Sequence, residues 1–186
     1  AVVNMVEFGD DLSISIALVS VLLLVSVGKD LLDRGGIMAA LGVGLVISLL
    51  GHWTWLVVLM TFLFVGSMAT KWRFEEKVRI SAEEANDGVR GWKNVLANGG
   101  VASIVAIGNI SVGGHEWAYF ILCSAVSVAA SDTLASEIGS LDPRTRIITT
   151  LEAVPAGTNG GMSPTGTLAA FYGALLIAVV STVLGA

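Results

Sequence analysis

The chain has 186 residues, of which 54% are hydrophobic and 13% charged, and its net charge is −5. Soluble domains carry about a quarter charged residues, so this composition excludes a soluble globular enzyme. The acidic balance also speaks against a nucleic-acid partner. A mean hydropathy of +0.81 points to an integral membrane protein.

Apolar runs at 11–28, 36–51, 53–70, 94–111, 117–138 and 164–185 predict about six transmembrane helices. The fold class expected is therefore an all-α polytopic membrane bundle, a single domain over 1–186. The first run ends in Lys29-Asp30 and not in a small-residue cleavage site, so it reads as a retained helix. Five loops separate the runs. The first, third and fifth hold all ten basic residues: Lys29, Arg34, Lys71, Arg73, Lys77, Arg79, Arg90, Lys93, Arg144 and Arg146. The second and fourth hold only His52, His115 and Glu116 as ionisable groups. Positive charge collects in cytoplasmic loops, so the odd loops are expected inside a cell membrane and both termini outside.

The long loop, 71–93, mixes its bases with Glu75, Glu76, Glu83, Glu84 and Asp87, which argues against a simple polybasic lipid anchor. Ser81 followed by acids reads as the start of a short surface helix, or as a solvated charged loop. Trp53, Trp55 and Trp117 fall at outer interfaces and Trp72 and Trp92 at inner ones, as an aromatic belt would place them. The histidines read as ordinary interfacial residues. Cys123 is the sole cysteine, which excludes an intrachain disulfide and offers no zinc site. Gly42, Val46 and Leu50 give a mixed helix face, whereas Gly166, Ala170, Gly173 and Ala174 give a small one suited to close packing. Such faces also allow a homodimer.

Three polar clusters fall on the side of the basic loops. In the first, Arg90, Asn94 and Asn98 recur every four residues beside Lys93. On one helix they would share a face able to grip phosphate oxygens. The second, Ser131-Asp132-Thr133-Leu134-Ala135-Ser136-Glu137, puts two acids at the inner end of the fifth run. A carboxylate at membrane depth costs roughly 2.5–3.5 kcal/mol and marks a functional candidate. Five residues separate Asp132 from Glu137, about 140° around a helix. One ion shared between them therefore needs a distorted helix, or else the acids have different partners. The third cluster runs through Gly157, Thr158, Asn159, Gly160 and Gly161 to Ser163-Pro164. It reads as a glycine-rich turn feeding the capped N-terminus of the last helix, a cradle for an anion. No Gly-Lys-Ser/Thr follows, so it is not a Walker loop. Carboxylates for Mg²⁺, cationic and amide donors and an anion loop are the parts of a phosphoryl-transfer site.

At Asn94-Val-Leu-Ala-Asn-Gly-Gly100, Ser131-Asp-Thr-Leu-Ala-Ser-Glu-Ile-Gly139 and Gly157-Thr-Asn-Gly-Gly-Met-Ser163, the chain resembles a polytopic membrane family of unknown function. That family includes plant phytyl-phosphate kinase. The resemblance implies transfer of a nucleotide γ-phosphate, with CTP the donor, to an isoprenyl monophosphate. It implies Mg²⁺ and catalytic roles for Asp132 and Glu137, with Lys93 beside them. It gives phosphates to Arg90, Lys93, Asn94 and Asn98, and the anion loop to Gly157, Thr158, Asn159, Gly160, Gly161 and Ser163. It also leads one to expect a further acidic segment of the Asp-Ser-Leu-Leu-Gly kind, which this sequence does not contain. Two other functions suit the same residues. A transporter or lipid flippase would use glycine-broken helices and buried acids, and a CTP-dependent cytidylyltransferase would share the site but release pyrophosphate.

Overall fold

A computed structural model describes residues 2–80, 88–114 and 116–185, with the backbone alone for residues 2–9. The elements run α1 (Val2–Gly28), α2 (Arg34–Leu50), α3 (Trp53–Lys71), α4 (Phe74–Arg79), α5 (Trp92–Ser111), α6 (Trp117–Gly139), β1 (Arg146–Ile147), β2 (Gly161–Met162) and α7 (Pro164–Leu184). Among the described residues, five helices are long and apolar enough to cross a membrane: α1 over Asp10–Gly28, α3, α5, α6 and α7. The α2 helix is apolar but shorter, at 17 residues. The protein is thus an all-α polytopic membrane bundle, with helices where the apolar runs place them. The extra helix, α4, begins at Phe74, ahead of the start expected at Ser81; residues 81–87 lie outside the described residues.

Local chemistry sets several helix starts. Asp33 Oδ1 accepts the Gly36 amide at 2.6 Å and caps α2. His52 Nδ1 accepts from Thr54 N and caps α3. His52 also pairs with Asp11 at 3.3 Å, fastening α1 to α3 at the end away from the basic loops.

The core forms where α2, α3, α5, α6 and α7 converge, around Ile47, Val58, Phe62, Ala106, Leu122 and Ile177. Trp55 belongs to it, only 6% exposed, so the aromatic-belt expectation fails there because the helix turns that ring inward. On α2 Gly44 packs against Val19, whereas Gly42 faces open space. The small face expected on the last helix packs as read. A Cβ on Gly139 would stand 2.9 Å from the Gly166 Cα, and one on Gly173 would stand 2.8 Å from the Ala130 carbonyl oxygen. Ser131 Oγ donates to the Ala170 carbonyl at 2.8 Å. This α6–α7 hairpin is the most extensive helix pair in the bundle.

The odd loops gather at one end. The Lys71 ammonium donates to the Lys29 carbonyl, and Arg90 pairs through its backbone with Leu31 and Asp33, each at 3.1 Å. The α6–α7 connection lies at the same end, closed by the antiparallel β1–β2 pair with Arg146 opposite Met162.

Candidate functional site

At that end a cleft of about 720 Å³ opens between α6, α7 and their connection. From α6 come Asp132, Ala135, Ser136 and Gly139; from the connection, Thr145 and Gly157 through Ser163; from α7, Gly166, Thr167 and Ala170. Asp132 is exposed to the cleft, and among the described residues it has no hydrogen bond or ion pair. It sits seven residues before the end of α6, about 10 Å into the span. Among the described residues it is the only carboxylate in the lining, and no described lysine or arginine lines the cleft.

The glycine loop lines the same cleft, with a shape that favours glycine at three positions. Gly157 and Gly160 take left-handed backbone, at φ +80° and +77°. A Cβ at Gly161 would come within 2.5 Å of Thr145 Cγ2 and 2.8 Å of the Thr158 carbonyl oxygen. Thr158 closes the turn: its hydroxyl donates to the Pro155 carbonyl at 2.7 Å, and its own carbonyl accepts from the Gly161 amide at 2.9 Å. The amides of Gly157, Asn159 and Gly160 make no hydrogen bond among the described residues. All three residues are exposed.

The N-terminus of α7 differs from expectation, because its positive end is already occupied. Ser163 Oγ accepts the Gly166 amide and donates to the Gly139 carbonyl, each at 3.2 Å. Asp142, which the sequence reading passed over, accepts the Thr165 amide at 3.2 Å and the Thr165 hydroxyl at 2.8 Å. Its carboxylate is also held by Arg144, from the backbone at 2.9 Å and from the guanidinium at 3.0 Å. Arg144 first, then Thr165, holds the Asp142 carboxyl far below the usual carboxylate range, against an opposing effect of burial. Asp142 is thus the resident anion of this helix end. The Asp-Pro-Arg-Thr sequence, an aspartate turn onto the amide two residues on, is the signal that could have found it.

Glu137 lies elsewhere. It is 7% exposed, and Lys77 beside it is fully buried. Lys77 Nζ donates to Glu137 Oε2 at 2.6 Å, to the Ala69 carbonyl at 2.7 Å and to the Thr70 carbonyl at 3.1 Å. The Thr70 hydroxyl donates to the other carboxylate oxygen at 2.7 Å. Both oxygens of Glu137 are engaged, on the α3–α4 side of α6 and away from the cleft. The structure therefore separates the two acids, and the undistorted helix is the reason. Among the described residues no three Asp, Glu, His or Cys side chains gather as a metal cage.

The first cluster is divided from the cleft as well. Because α5 begins at Trp92, Arg90 sits before the helix, in a parallel bridge with Leu32. Its guanidinium is buried 5.4 Å over the Phe62 ring and against Gly66. Arg90, Asn94 and Asn98 border a separate, mostly apolar cavity of about 70 Å³ between α1, α2, α3 and α5. Asn98 donates to the Asn94 carbonyl at 2.8 Å. Lys93 is exposed, its ammonium 5.8 Å from the Trp92 ring centre, and lines neither cavity. The structure thus joins Asp132, the glycine loop and Ser163, and leaves Glu137, Lys93, Arg90, Asn94 and Asn98 outside that cleft.

Comparison with known proteins agrees with the three motifs. The family described as integral membrane protein DUF92 matches residues 17–186. An uncharacterised membrane protein of Methanocaldococcus jannaschii is 34% identical over 167 residues, 89% of this chain and 68% of that protein. One of Synechocystis is 35% identical over 156 residues, 82% of this chain and 60% of the other. Protein VTE6, chloroplastic, of Arabidopsis thaliana is 31% identical over 176 residues, 88% of this chain and 52% of its own length. The chain thus spans between about half and two-thirds of these relatives. No solved structure matches it. Matched over nearly its whole length, the chain belongs to the integral membrane protein family DUF92.

Proposed function

We propose that this protein is a membrane isoprenyl-phosphate kinase, moving the γ-phosphate of a nucleotide, CTP in our reading, to phytyl or another polyprenyl monophosphate. The observation that carries the reading is the cleft itself. Asp132, a carboxylate with no hydrogen bond or ion pair among the described residues, lines one cleft of about 720 Å³ with the glycine loop Gly157–Gly161. The resemblance to the family of plant phytyl-phosphate kinase supports the same choice. The basic loops at this end of the bundle favour a cytoplasmic site in the cell membrane.

The donor set fits Mg²⁺ in one way. That ion commonly takes one or two carboxylates and completes its shell with water and substrate phosphates, which Asp132 alone allows. Glu137 does not fit the same ion, since Lys77 and Thr70 hold both its oxygens. When bound, Mg²⁺ would neutralise phosphate charge in a cleft whose described walls carry no lysine or arginine. The amides of Gly157, Asn159 and Gly160 would hold phosphate oxygens, and the Thr158 bonds to Pro155 and Gly161 would keep the loop in shape. Ser163 shapes the wall through its capping bonds. The attacking group is a phosphate oxygen, already ionised at neutral pH, so no general base is needed and catalysis rests on positioning and charge. In this reading Arg90, Asn94, Asn98 and Lys93 stand outside the transfer site.

The test is a product assay on the protein in lipid with Mg²⁺, each of the four nucleoside triphosphates, and phytyl or geranylgeranyl phosphate. Lipid diphosphate with CDP is the expected result. Pyrophosphate with a CMP-linked lipid would replace the kinase by a cytidylyltransferase, and indifference to every nucleotide would favour transport.

A further inference from the structure

We infer that Glu137 is a positioning residue and not a metal ligand, and that Lys77 is its keeper: together they fix the face that α6 turns to the cleft. This rests on the reading of Asp132 given above. The buried ammonium joins three elements. It comes from α4, it caps the final carbonyls of α3 at Ala69 and Thr70, and it grips the α6 carboxylate. Cations are favoured at a helix C-terminus, so the charge is satisfied twice over. Thr70 takes the second carboxylate oxygen, which leaves the group one orientation. Glu137 and Asp132 lie about 140° apart around α6. Holding the first against α3 therefore presents the second on the far side, to the glycine loop. On the α7 side α6 is held by close packing of small residues and by hydrogen bonds from Tyr119 to the Ser181 carbonyl and from Ser131 to the Ala170 carbonyl; the charged tie holds it from the α3 side.

The tie also explains why a lysine stands in a six-residue helix after α3. The chain turns through Arg73 in left-handed backbone, φ +51°, and folds α4 back until Lys77 reaches the end of α3. A leucine there would fill the space but leave Glu137 a buried charge with an incentive to swing out toward water, turning α6 with it.

The experiment reads that orientation directly. In a Cys123→Ser background, cysteine is placed at Asp132 or, as a control in the same cleft, at Asn159. The protein in lipid nanodiscs is treated with a water-soluble thiol reagent, with Lys77 present or replaced. Lys77→Met should slow labelling at position 132 roughly tenfold, as the cleft-facing orientation ceases to be the favoured one, and leave position 159 unchanged. Lys77→Arg, which keeps the cation, should restore the rate at 132. Unchanged labelling at 132, or an equal fall at both positions, overturns the inference. If Lys77→Met does not fold, Lys77→Met with Glu137→Gln removes both charges and carries the test; a wild-type rate at 132 in that variant overturns it equally. No turnover is measured, so failure of the kinase reading and failure of the tie give different results.

Discussion

Two carboxylates five residues apart on α6 have opposite surroundings. Glu137 is buried, with an ammonium on one oxygen and a hydroxyl on the other. Asp132 stands open to the cleft with no partner among the described residues. Desolvating a charge is costly unless it is paired and hydrogen-bonded, so the first environment is one that a fold builds for its own stability. The second leaves the charge free for something that arrives. Both are carboxylates on one helix; what distinguishes structure from chemistry here is which bonds are already made.

Removing one partner of the buried pair should produce the largest effect. Lys77→Met strands Glu137 and should lower stability by about 3–5 kcal/mol. Replacing both by methionine should recover most of that loss, measured by thermal unfolding in matched detergent. A mild Lys77→Met would erase the contrast between the acids. Asp132→Asn should act the other way, cutting nucleotide turnover by about 10²–10³-fold while shifting stability by no more than about 0.5 kcal/mol. A stability loss as large as that of Lys77→Met would make Asp132 structural too.

Gly161→Ala sharpens the comparison from the opposite wall. Its methyl would meet Thr145 and the Thr158 carbonyl, and should cost about 1–3 kcal/mol and weaken nucleotide binding together, as titration and melting would show. Asp142→Asn should change stability alone, by about 1–2 kcal/mol, since it removes the charge at the α7 N-terminus and turns one accepting oxygen into a donor. Its pH dependence has a definite sign. The folded carboxyl is depressed, so its contribution is complete above about pH 4, the unfolded value, and is lost as pH falls toward the depressed folded value. Melting curves of the asparagine variant should therefore fall less steeply in acid than those of the wild type.

The bundle was legible because a membrane demands long apolar runs, and each span gave one. The cap at Ser163-Pro164 and the turn of Gly157–Gly161 were legible because caps and turns are local chemistry. Trp55 was misread because an aromatic near a span end looks alike whether it faces lipid or core. Arg90 was assigned to a helix face that begins two residues after it. The Lys77–Glu137 pair, 60 residues apart in sequence, has no local signature: each looks like one more loop or helix-end charge until α4 folds back. Asp142 left a readable trace in its turn sequence.

The most direct test of the central claim is photocrosslinking of an azido-CTP to the wild-type protein and to Asp132→Asn, with and without Mg²⁺, followed by mapping of the labelled peptide. The expected result is Mg²⁺-dependent labelling within 157–163, suppressed by excess CTP and lost in the variant. Labelling that ignores Mg²⁺ and Asp132, or that maps to the Arg90–Asn98 cavity, would contradict the assignment of the α6–α7 cleft as the nucleotide site.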